Sequence, residues 1–436
     1  MRALFITKPF FIEPLGIMYL VAAAKAAGHQ ADIAIADDLI ETKIPMYDPD
    51  VLCYSIMTGD QNYYDKLNKR LKKLYGLPSL VGGPHPTFFP EMMDETSFDH
   101  ICIGEGEAFF ADFLNEVTKT NEHNLIEDLD TIPFADRDCV FKYDKINRGP
   151  IKHFIASRGC PYDCSYCFNR AYSDLYKGRG RRVRFRTVDN VLKEVKEVIE
   201  SSPTEFVYFQ DDTFILRPSW IKEFADKYPR ITNLPFHCHT RANLVTEDIV
   251  KDLARAGCYS VHIAAETGNE AIRERLLNRT MSDDTIVNAV ELFRKYGIKT
   301  MLQNILGLPG TTIKNDFETL ELNIRCQPDY AWASIFQPYP KTYLGRYSQE
   351  IGEYTGDFSD LGSSFFDVSP LNFSHKNEVA NLQKLFAFAV QNPVIYESGL
   401  LHVLIYLPYE QMKDRYCNLY RALRKQSDKT LYGIEL

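Results

Sequence analysis

The stretch Ser157-Arg-Gly-Cys160-Pro-Tyr-Asp-Cys164-Ser-Tyr-Cys167-Phe168 decides how this chain is read. It opens at the end of an apolar run, His153–Ser157, with the length and character of a strand. Three thiolates at spacings of four and three residues can wrap one small inorganic cluster from a single loop. A cubane holds four irons, so three local cysteines leave one iron without a protein ligand, able to chelate a substrate or cofactor. The other reading is a structural zinc site, which wants four ligands in two paired knuckles. No second Cys-x-x-Cys pair exists, although His153 or a distant residue could complete such a site. The other cysteines, Cys53, Cys102, Cys139, Cys238, Cys258, Cys326 and Cys417, are scattered singly and read as small buried hydrophobes.

Outward from this loop, candidate strands recur at Phe206–Gln210, Phe236–Thr240, Ser260–Ala264, Lys299–Ile305 and Tyr330–Phe336. Helical patterns lie between them. Ser282 is a predicted N-cap, followed by Ile286, Ala289, Val290 and Phe293 at helical spacing, with Gly297 as a stop. Thr246 and Gly257 bracket another helix in the same way. Six such units predict a partial (β/α)6 TIM-type barrel over 151–345 rather than a closed eight-stranded one.

On the N-terminal side, apolar runs at Ala3–Thr7, Ala31–Ala36, Val51–Ser55, Ser79–Val81 and Ile101–Ile103 alternate with helical patterns. Gly16–Ala27 and Tyr63–Leu74 are two of these helices, the first stopped by Gly28. Strands apolar throughout, alternating with helices, predict a parallel sheet covered on both faces. The fold class is therefore α/β, with a Rossmann-like (flavodoxin-like) domain over 1–125. Residues 121–150 carry Pro133 and Pro150 and no sustained periodicity, so 126–150 reads as a connector. Glu350–Gly362 reads as a loop, and Asn377–Gln391 and Glu410–Lys425 as amphipathic helices, which makes 346–436 a mainly helical C-terminal region.

Composition narrows the class. The 436 residues are 45% hydrophobic and 25% charged, which excludes wholesale disorder. Acidic residues number 59 against 50 basic, a net charge of -9, and argue against a broad nucleic-acid surface. No run of apolar residues is long enough to span a membrane. The first residues imitate a signal peptide, but Pro9, Glu13 and Pro14 interrupt the run and a strand fits better, so the chain is expected in the cytoplasm. The basic stretch Lys177–Arg186 reads as a solvated loop before a helix; an anionic substrate or partner is the sharper alternative.

The Cys-x-x-x-Cys-x-x-Cys loop, with an aromatic residue (Tyr166) before the third cysteine, resembles the radical S-adenosylmethionine (radical SAM) superfamily. The resemblance implies a 4Fe-4S cluster on Cys160, Cys164 and Cys167, whose open iron binds the amino and carboxylate groups of SAM. One electron from the cluster would cleave SAM to methionine and a 5′-deoxyadenosyl radical. The later strand ends match a subgroup of that superfamily. Phe209-Gln-Asp-Asp-Thr-Phe214 offers Gln210, Asp211 and Asp212 to the methionyl amino group; Asp211 and Asp212 also read as plain turn formers. Arg241, in His239-Thr-Arg-Ala-Asn-Leu244, could pair with the SAM carboxylate. Glu266, in Ala264-Ala-Glu-Thr-Gly268, would hold the ribose or amino group. Leu306 and Gly307, in Leu306-Gly-Leu-Pro-Gly310, would lie by the adenine. Gln337-Pro-Tyr-Pro340 ends the sixth strand, and Trp332, Phe336 and Tyr339 are candidate substrate-lining residues.

In the first domain a dinucleotide fingerprint is absent from the turn Lys8–Gly16, which argues against NAD or FAD. Instead Val81-Gly-Gly-Pro-His-Pro86 and Ile103-Gly-Glu-Gly-Glu107 resemble the cobalamin-binding domain fused to many radical SAM enzymes. The resemblance assigns Ser55, Thr58, Gly82, Gly83, Pro84, His85, Gly104, Glu105, Gly106 and Glu107 to the cobalamin site. The Asp-x-His-x-x-Gly motif of other cobalamin proteins is missing from the Lys8–Gly16 turn, so no cobalt ligand is expected there, and His85 is read as a loop residue and not the axial ligand.

Together these features imply a cobalamin-dependent radical SAM methyltransferase acting on an unactivated carbon or phosphorus centre. Such a carbon has no lone pair for polar attack on SAM. A methyl group would pass through methylcobalamin to a substrate radical made by the 5′-deoxyadenosyl radical. An electron donor of flavodoxin or ferredoxin type is expected; the substrate, a small molecule or a peptide or protein, is not encoded legibly. The alternative keeps both cofactors without methyl transfer, as an oxidative cyclase or a ring-contraction or rearrangement enzyme. Two further alternatives, an RNA methylthiotransferase and a non-enzymatic B12 sensor, rank lower. The first lacks its extra cysteines and basic C-terminal barrel here, and the cysteine loop argues against the second.

Overall fold

β-Branched and aromatic side chains suit a pleated surface buried on both faces, and the apolar runs of the first half use them so. In the computed structural model, which describes residues 1–116, 125–357, 361–362 and 364–434, these runs are β1 (Arg2–Thr7), β2 (Gln30–Ile35), β3 (Val51–Ser55), β4 (Ser79–Gly82) and β5 (His100–Ile101). They form one parallel sheet in the order β2-β1-β3-β4-β5. This is the flavodoxin-like order. The direction of strand addition reverses between β1 and β3, so the loops leaving their carboxyl ends flank the crevice where such sheets bind ligands. Leu4, Ile6, Leu52, Tyr54 and Val81 fill one face against Tyr64, Leu67 and Leu71 of the helix Gln61–Tyr75.

The chain divides into two compact units. The first comprises Met1–Gly149 and Ala171–Pro203. The second comprises Pro150–Arg170, Thr204–Asp357 and Ser364–Leu436. Of the stretch 121–150, residues 121–124 lie outside the described residues, as do 358–360 of the loop expected over 350–362.

Within the first unit the basic stretch departs from its expected reading. Arg184 is 2% exposed and Arg186 5%. Arg184 makes a two-pronged ion pair with Glu105, Nη2 to Oε1 at 2.7 Å and Nη1 to Oε2 at 2.9 Å, and also donates to the Ile126 carbonyl. Arg186 pairs with Glu194 at 2.5 Å, and Glu194 and Glu13 flank Arg137 at 3.4 and 2.8 Å. Guanidinium groups leave water only when their donors meet carboxylates or carbonyls in good geometry. The end of this stretch is thus a core polar network rather than a solvated loop; nothing in local sequence shows a partner eighty residues away.

The second unit is a six-stranded parallel sheet of β6 (Ile151–Phe154), β7 (Phe206–Phe209), β8 (Phe236–Thr240), β9 (Cys258–Glu266), β10 (Lys299–Leu306) and β11 (Tyr330–Ile335). Neighbours in space are neighbours in sequence, and all pairings are parallel, as a partial barrel requires. Local signals placed the helices correctly. Thr246 Oγ1 accepts from Ile249 N, and Gly257 closes that helix at φ 91°. Ser282 Oγ accepts from Thr285 N at 3.2 Å, starting Asp283–Lys295.

The C-terminal region is helical, as expected, with Lys376–Gln391 and Tyr409–Tyr432 its long helices. The first is buried on more than one face, including Asn381, Gln383 and Lys384. Asn381 Nδ2 donates to the Ile405 and Leu407 carbonyls, and Gln383 Nε2 to the Ala333 carbonyl. The end of the second helix brings Leu431 and Tyr432 against Phe206, Tyr208, Met301 and Tyr330. Among the described residues no helix is long and apolar enough to cross a membrane.

Candidate functional site

The cysteine loop leaves β6 and enters the helix Phe168–Leu175. Cys164 is buried, while Cys160 and Cys167 are partly exposed. Its first turn is held by Asp211, at the end of β7. Asp211 Oδ2 accepts from Ala156 N at 3.1 Å, and Oδ1 from Ser157 Oγ at 2.5 Å. Burial pushes the Asp211 carboxyl up to about 6, against these hydrogen bonds. The middle of the loop is fixed by Ser165, whose N and Oγ donate to the Leu277 and Leu276 carbonyls and whose carbonyl accepts from Leu344 N. Its end is fixed by Asn169, which donates from Nδ2 to Asp212 Oδ1 at 2.9 Å and from N toward Cys167 Sγ at 3.4 Å.

Charged groups converge on Cys164. Arg241 Nη1 lies 3.4 Å from its sulfur and Arg279 Nη1 3.6 Å. Arg241 is seated by Asn243 Oδ1 at 2.7 Å and by the Tyr162 ring, 3.8 Å from the guanidinium carbon. Arg279 donates to the Ala264 carbonyl at 2.6 Å and the Tyr166 hydroxyl at 3.1 Å. Tyr166 in turn donates to Glu266 Oε1 at 2.5 Å, and that oxygen lies 3.9 Å from Arg279. Burial works against the Arg279 charge, but Tyr166 and Glu266 hold its pKa above the ordinary value. Glu266 sits just past a register shift in β9 with φ 69°, a left-handed backbone for a non-glycine residue. Strain of that kind persists where surrounding structure fixes it, often at functional sites.

The structure thus gathers Cys160, Cys164, Cys167, Tyr166, Asp211, Asp212, Arg241 and Glu266 around one loop. Arg279, Asn169 and Asn243 join them, and Arg279 carries no local signal because Cys164 and Tyr166 reach it from more than a hundred residues away. Gln210 is placed alongside by its N–H to the Phe154 carbonyl at 2.8 Å. Leu306 and Gly307 end β10, where Gly307 N donates to Asp316 Oδ1 at 3.0 Å. Trp332 packs on Phe365 and Phe366, Phe336 is buried, and Tyr339 packs on Phe168 with ring centroids 5.2 Å apart.

Asp316 gives a pH prediction. Its carboxyl is pushed up to about 7 by burial, from 3.8, against the Gly307 hydrogen bond. The folded chain keeps this proton where the unfolded chain has released it. Its contribution to stability is therefore full below about 4 and is lost as pH rises towards 7. Asp316→Asn removes that loss. Relative to the natural chain it should gain roughly 2 kcal/mol between about pH 5.5 and pH 8, read from denaturant midpoints; an unchanged difference would contradict the assignment.

In the first unit, Ser55 and Thr58 leave β3 at the switch point and are partly exposed. His85 lies in a one-turn helix, Pro84–Phe88, not in a loop, and is 1% exposed. Its Nδ1 lies 3.1 Å from Thr58 Oγ1, and burial lowers its pKa to about 4. The glycines meet the unit's own atoms. A Cβ on Gly83, at φ 96°, would stand 2.8 Å from Ile56 N and Ser55 Oγ; on Gly104, at φ 81°, it would collide with the Tyr176 hydroxyl. A Cβ on Gly106 would come 2.9 Å from Leu20 Cδ2, and one on Gly82 would come 3.3 Å from Cys102 Cβ. Gly82 and Gly83 let the loop after β4 close on those after β5 and β3, while Gly104 and Gly106 make room for Tyr176 and Leu20. Glu105 is occupied by Arg184, and Glu107 begins the helix Glu107–Leu114, 8% exposed.

The residues fit an iron–sulfur cluster. Three thiols come from one loop, and guanidinium and amide N–H groups aimed at Cys164 and Cys167 suit sulfurs carrying negative charge. Burial pushes the Cys160 thiol up and that of Cys167 up to about 12, so the metal's own charge is what would keep them deprotonated. The switch point between β1 and β3 sets the loop carrying Ser55 and Thr58 at the sheet's carboxyl edge, where such sheets bind ligands.

Comparison with known proteins agrees. Residues 154–322 match the radical SAM superfamily model and residues 1–114 the B12-binding domain model. An uncharacterized methyltransferase of Pyrococcus horikoshii is 26% identical over 376 residues, 77% of this chain and 78% of that protein. The anaerobic magnesium-protoporphyrin IX monomethyl ester cyclase of Rubrivivax gelatinosus is 22% identical over 78% of this chain and 66% of its own length. The solved radical SAM methyltransferase TsrM of Kitasatospora setae, with cobalamin and a 4Fe-4S cluster bound, shares the fold at a TM-score of 0.65 and 14% identity, over 86% of this chain and 80% of that one. The chain therefore belongs to the cobalamin-binding radical SAM enzymes, and its cofactors are a 4Fe-4S cluster, S-adenosylmethionine and cobalamin.

Proposed function

We propose that this enzyme transfers a methyl group from SAM to an unactivated carbon or phosphorus centre. The observation that carries the reading is one chain that joins a B12-binding domain to the three-cysteine loop. The names of the Pyrococcus and Kitasatospora proteins, both methyltransferases, support it. When bound, the cluster supplies the electron that cleaves SAM and the corrinoid a carrier for its methyl group.

The chain's own part is placement. Cys160, Cys164 and Cys167 hold the cluster on a loop pinned at Ser157, Ser165 and Asn169. Arg241 and Arg279 offset charge at Cys164. Glu266, with Tyr166 and Arg279 against it, is oriented as an acceptor for a SAM amino or hydroxyl group. Gln210, after β7, and Leu306 and Gly307, at the end of β10, border the SAM site, and Trp332, Phe336 and Tyr339 line the substrate. Ser55, Thr58 and the loops carrying Gly83 and Gly104 hold the corrinoid. An electron donor of flavodoxin or ferredoxin type feeds the cluster, and the enzyme works in the cytoplasm, where thiols stay reduced.

The Rubrivivax cyclase favours a second reading, with both cofactors but no methyl transfer. Anaerobic incubation of reconstituted enzyme with reductant, SAM and substrate separates them. Methyl transfer yields S-adenosylhomocysteine together with 5′-deoxyadenosine; 5′-deoxyadenosine alone would overturn it.

A further inference from the structure

Beneath the strand-end layer, the inner wall of the second unit carries an unusual group. β8 contributes His237 and His239, two residues apart and so on one face. β9 contributes His262, in register with His239. One ligating nitrogen or more from each lies within 4.8 Å of the others. The His239 and His262 rings stack at 4.8 Å, and the His237 and His262 centroids are 4.3 Å apart.

Hydrogen bonds fix which nitrogen of His237 carries the lone pair. Ser260 Oγ spends its one hydrogen on the Leu431 carbonyl at 2.5 Å. It must therefore accept from His237 Nδ1, 2.6 Å away, so that Nδ1 holds the proton and Nε2 the lone pair. That Nε2 is buried with no hydrogen-bond partner. His239 Nε2 lies 3.0 Å from the Tyr208 hydroxyl. His262 Nδ1 lies 3.4 Å from both the Tyr208 hydroxyl and the Gln303 amide nitrogen, and its Nε2 is buried without a hydrogen-bond partner. Both orphaned rings are more than nine-tenths buried, His237 at 0% and His262 at 7% exposure. Burial also keeps all three imidazoles neutral, the form that ligates metals.

A buried acceptor left without a donor, as His237 Nε2 is, is costly unless a cation sits against it. We propose that His237, His239 and His262 form a second metal site, for a divalent ion of the zinc class, separate from the cysteine loop. Three imidazoles with no thiolate or carboxylate leave a fourth position open, as in catalytic rather than structural zinc sites. Ser260 Oγ orients the His237 ring, accepting the Nδ1–H opposite its Nε2. Nitrogens bound to one zinc lie about 3.3 Å apart, so the stacked His239 and His262 rings must turn out of their near-parallel arrangement to point at one ion. Binding exchanges the Tyr208 hydrogen bond on His239 for a coordinate bond and involves no redox step.

The test uses the full chain with its iron–sulfur cluster already reconstituted, so that the cysteines are occupied. After incubation with Zn2+ and desalting, roughly one zinc per chain should remain, and zinc-edge X-ray absorption should show nitrogen neighbours near about 2.0 Å. His237→Asn and His262→Asn should each lose that zinc while keeping iron and corrinoid, which reports that they fold. Zinc absent from the natural chain, zinc with sulfur neighbours near about 2.3 Å, or zinc unchanged in both variants would overturn the proposal. If a variant fails to fold, the absorption spectrum of the natural chain alone decides.

Discussion

Cys164→Ala should abolish reductive cleavage of SAM, because the thiol it removes is the buried one among the three proposed cluster ligands. Iron content should fall with it, while corrinoid binding by the other compact unit persists and shows that the chain is folded. The arginines around this sulfur give a graded series. Arg241→Ala removes one N–H donor to Cys164 and should lower the rate of 5′-deoxyadenosine formation by about 10–100-fold, the usual cost of losing an outer-shell partner, with iron retained. Arg279→Met removes a donor and also leaves Glu266 without its cation, so it should act on both rate and stability. Equal iron and equal cleavage in Cys164→Ala would show that the cluster is not held here.

Glu105→Ala is expected to destabilise the first unit by about 3–5 kcal/mol, measured by denaturant unfolding, because it strands the guanidinium of Arg184 in the core. The loop sequence Ile103-Gly-Glu-Gly-Glu107 suggests a cofactor contact for this residue, and the two views make different predictions. A carboxylate that only touches the corrinoid would, when removed, weaken corrinoid binding and leave the corrinoid-free stability unchanged. The buried pair predicts the reverse order of effects, with the stability loss present before any corrinoid is added.

The contrast between these residues shows what the sequence can carry. Strands announce themselves by period and composition, so the eleven runs from Ala3–Thr7 to Tyr330–Phe336 were legible, as were caps such as Thr246 and Ser282 that act on residues three positions away. The cysteine loop was legible for the same reason, since its chemistry is local. Arg279 was not: it lies in a connecting segment, and its value depends on Tyr166, Ala264 and Cys164 arriving from other parts of the chain. Arg184 and Arg186 were misread because charge in a run reads as solvated until a carboxylate such as Glu105 or Glu194 is brought to it by the fold. The histidines of β8 and β9 look like ordinary strand residues until register sets His239 beside His262.

Metal stoichiometry of the anaerobically reconstituted full chain, taken by elemental analysis, tests the central claim most directly. Three thiolates holding a cubane, with a corrinoid on the leading sheet, predict about four irons and about one cobalt per chain. A chain that keeps no iron, or that takes up iron but never cobalt, would contradict the account.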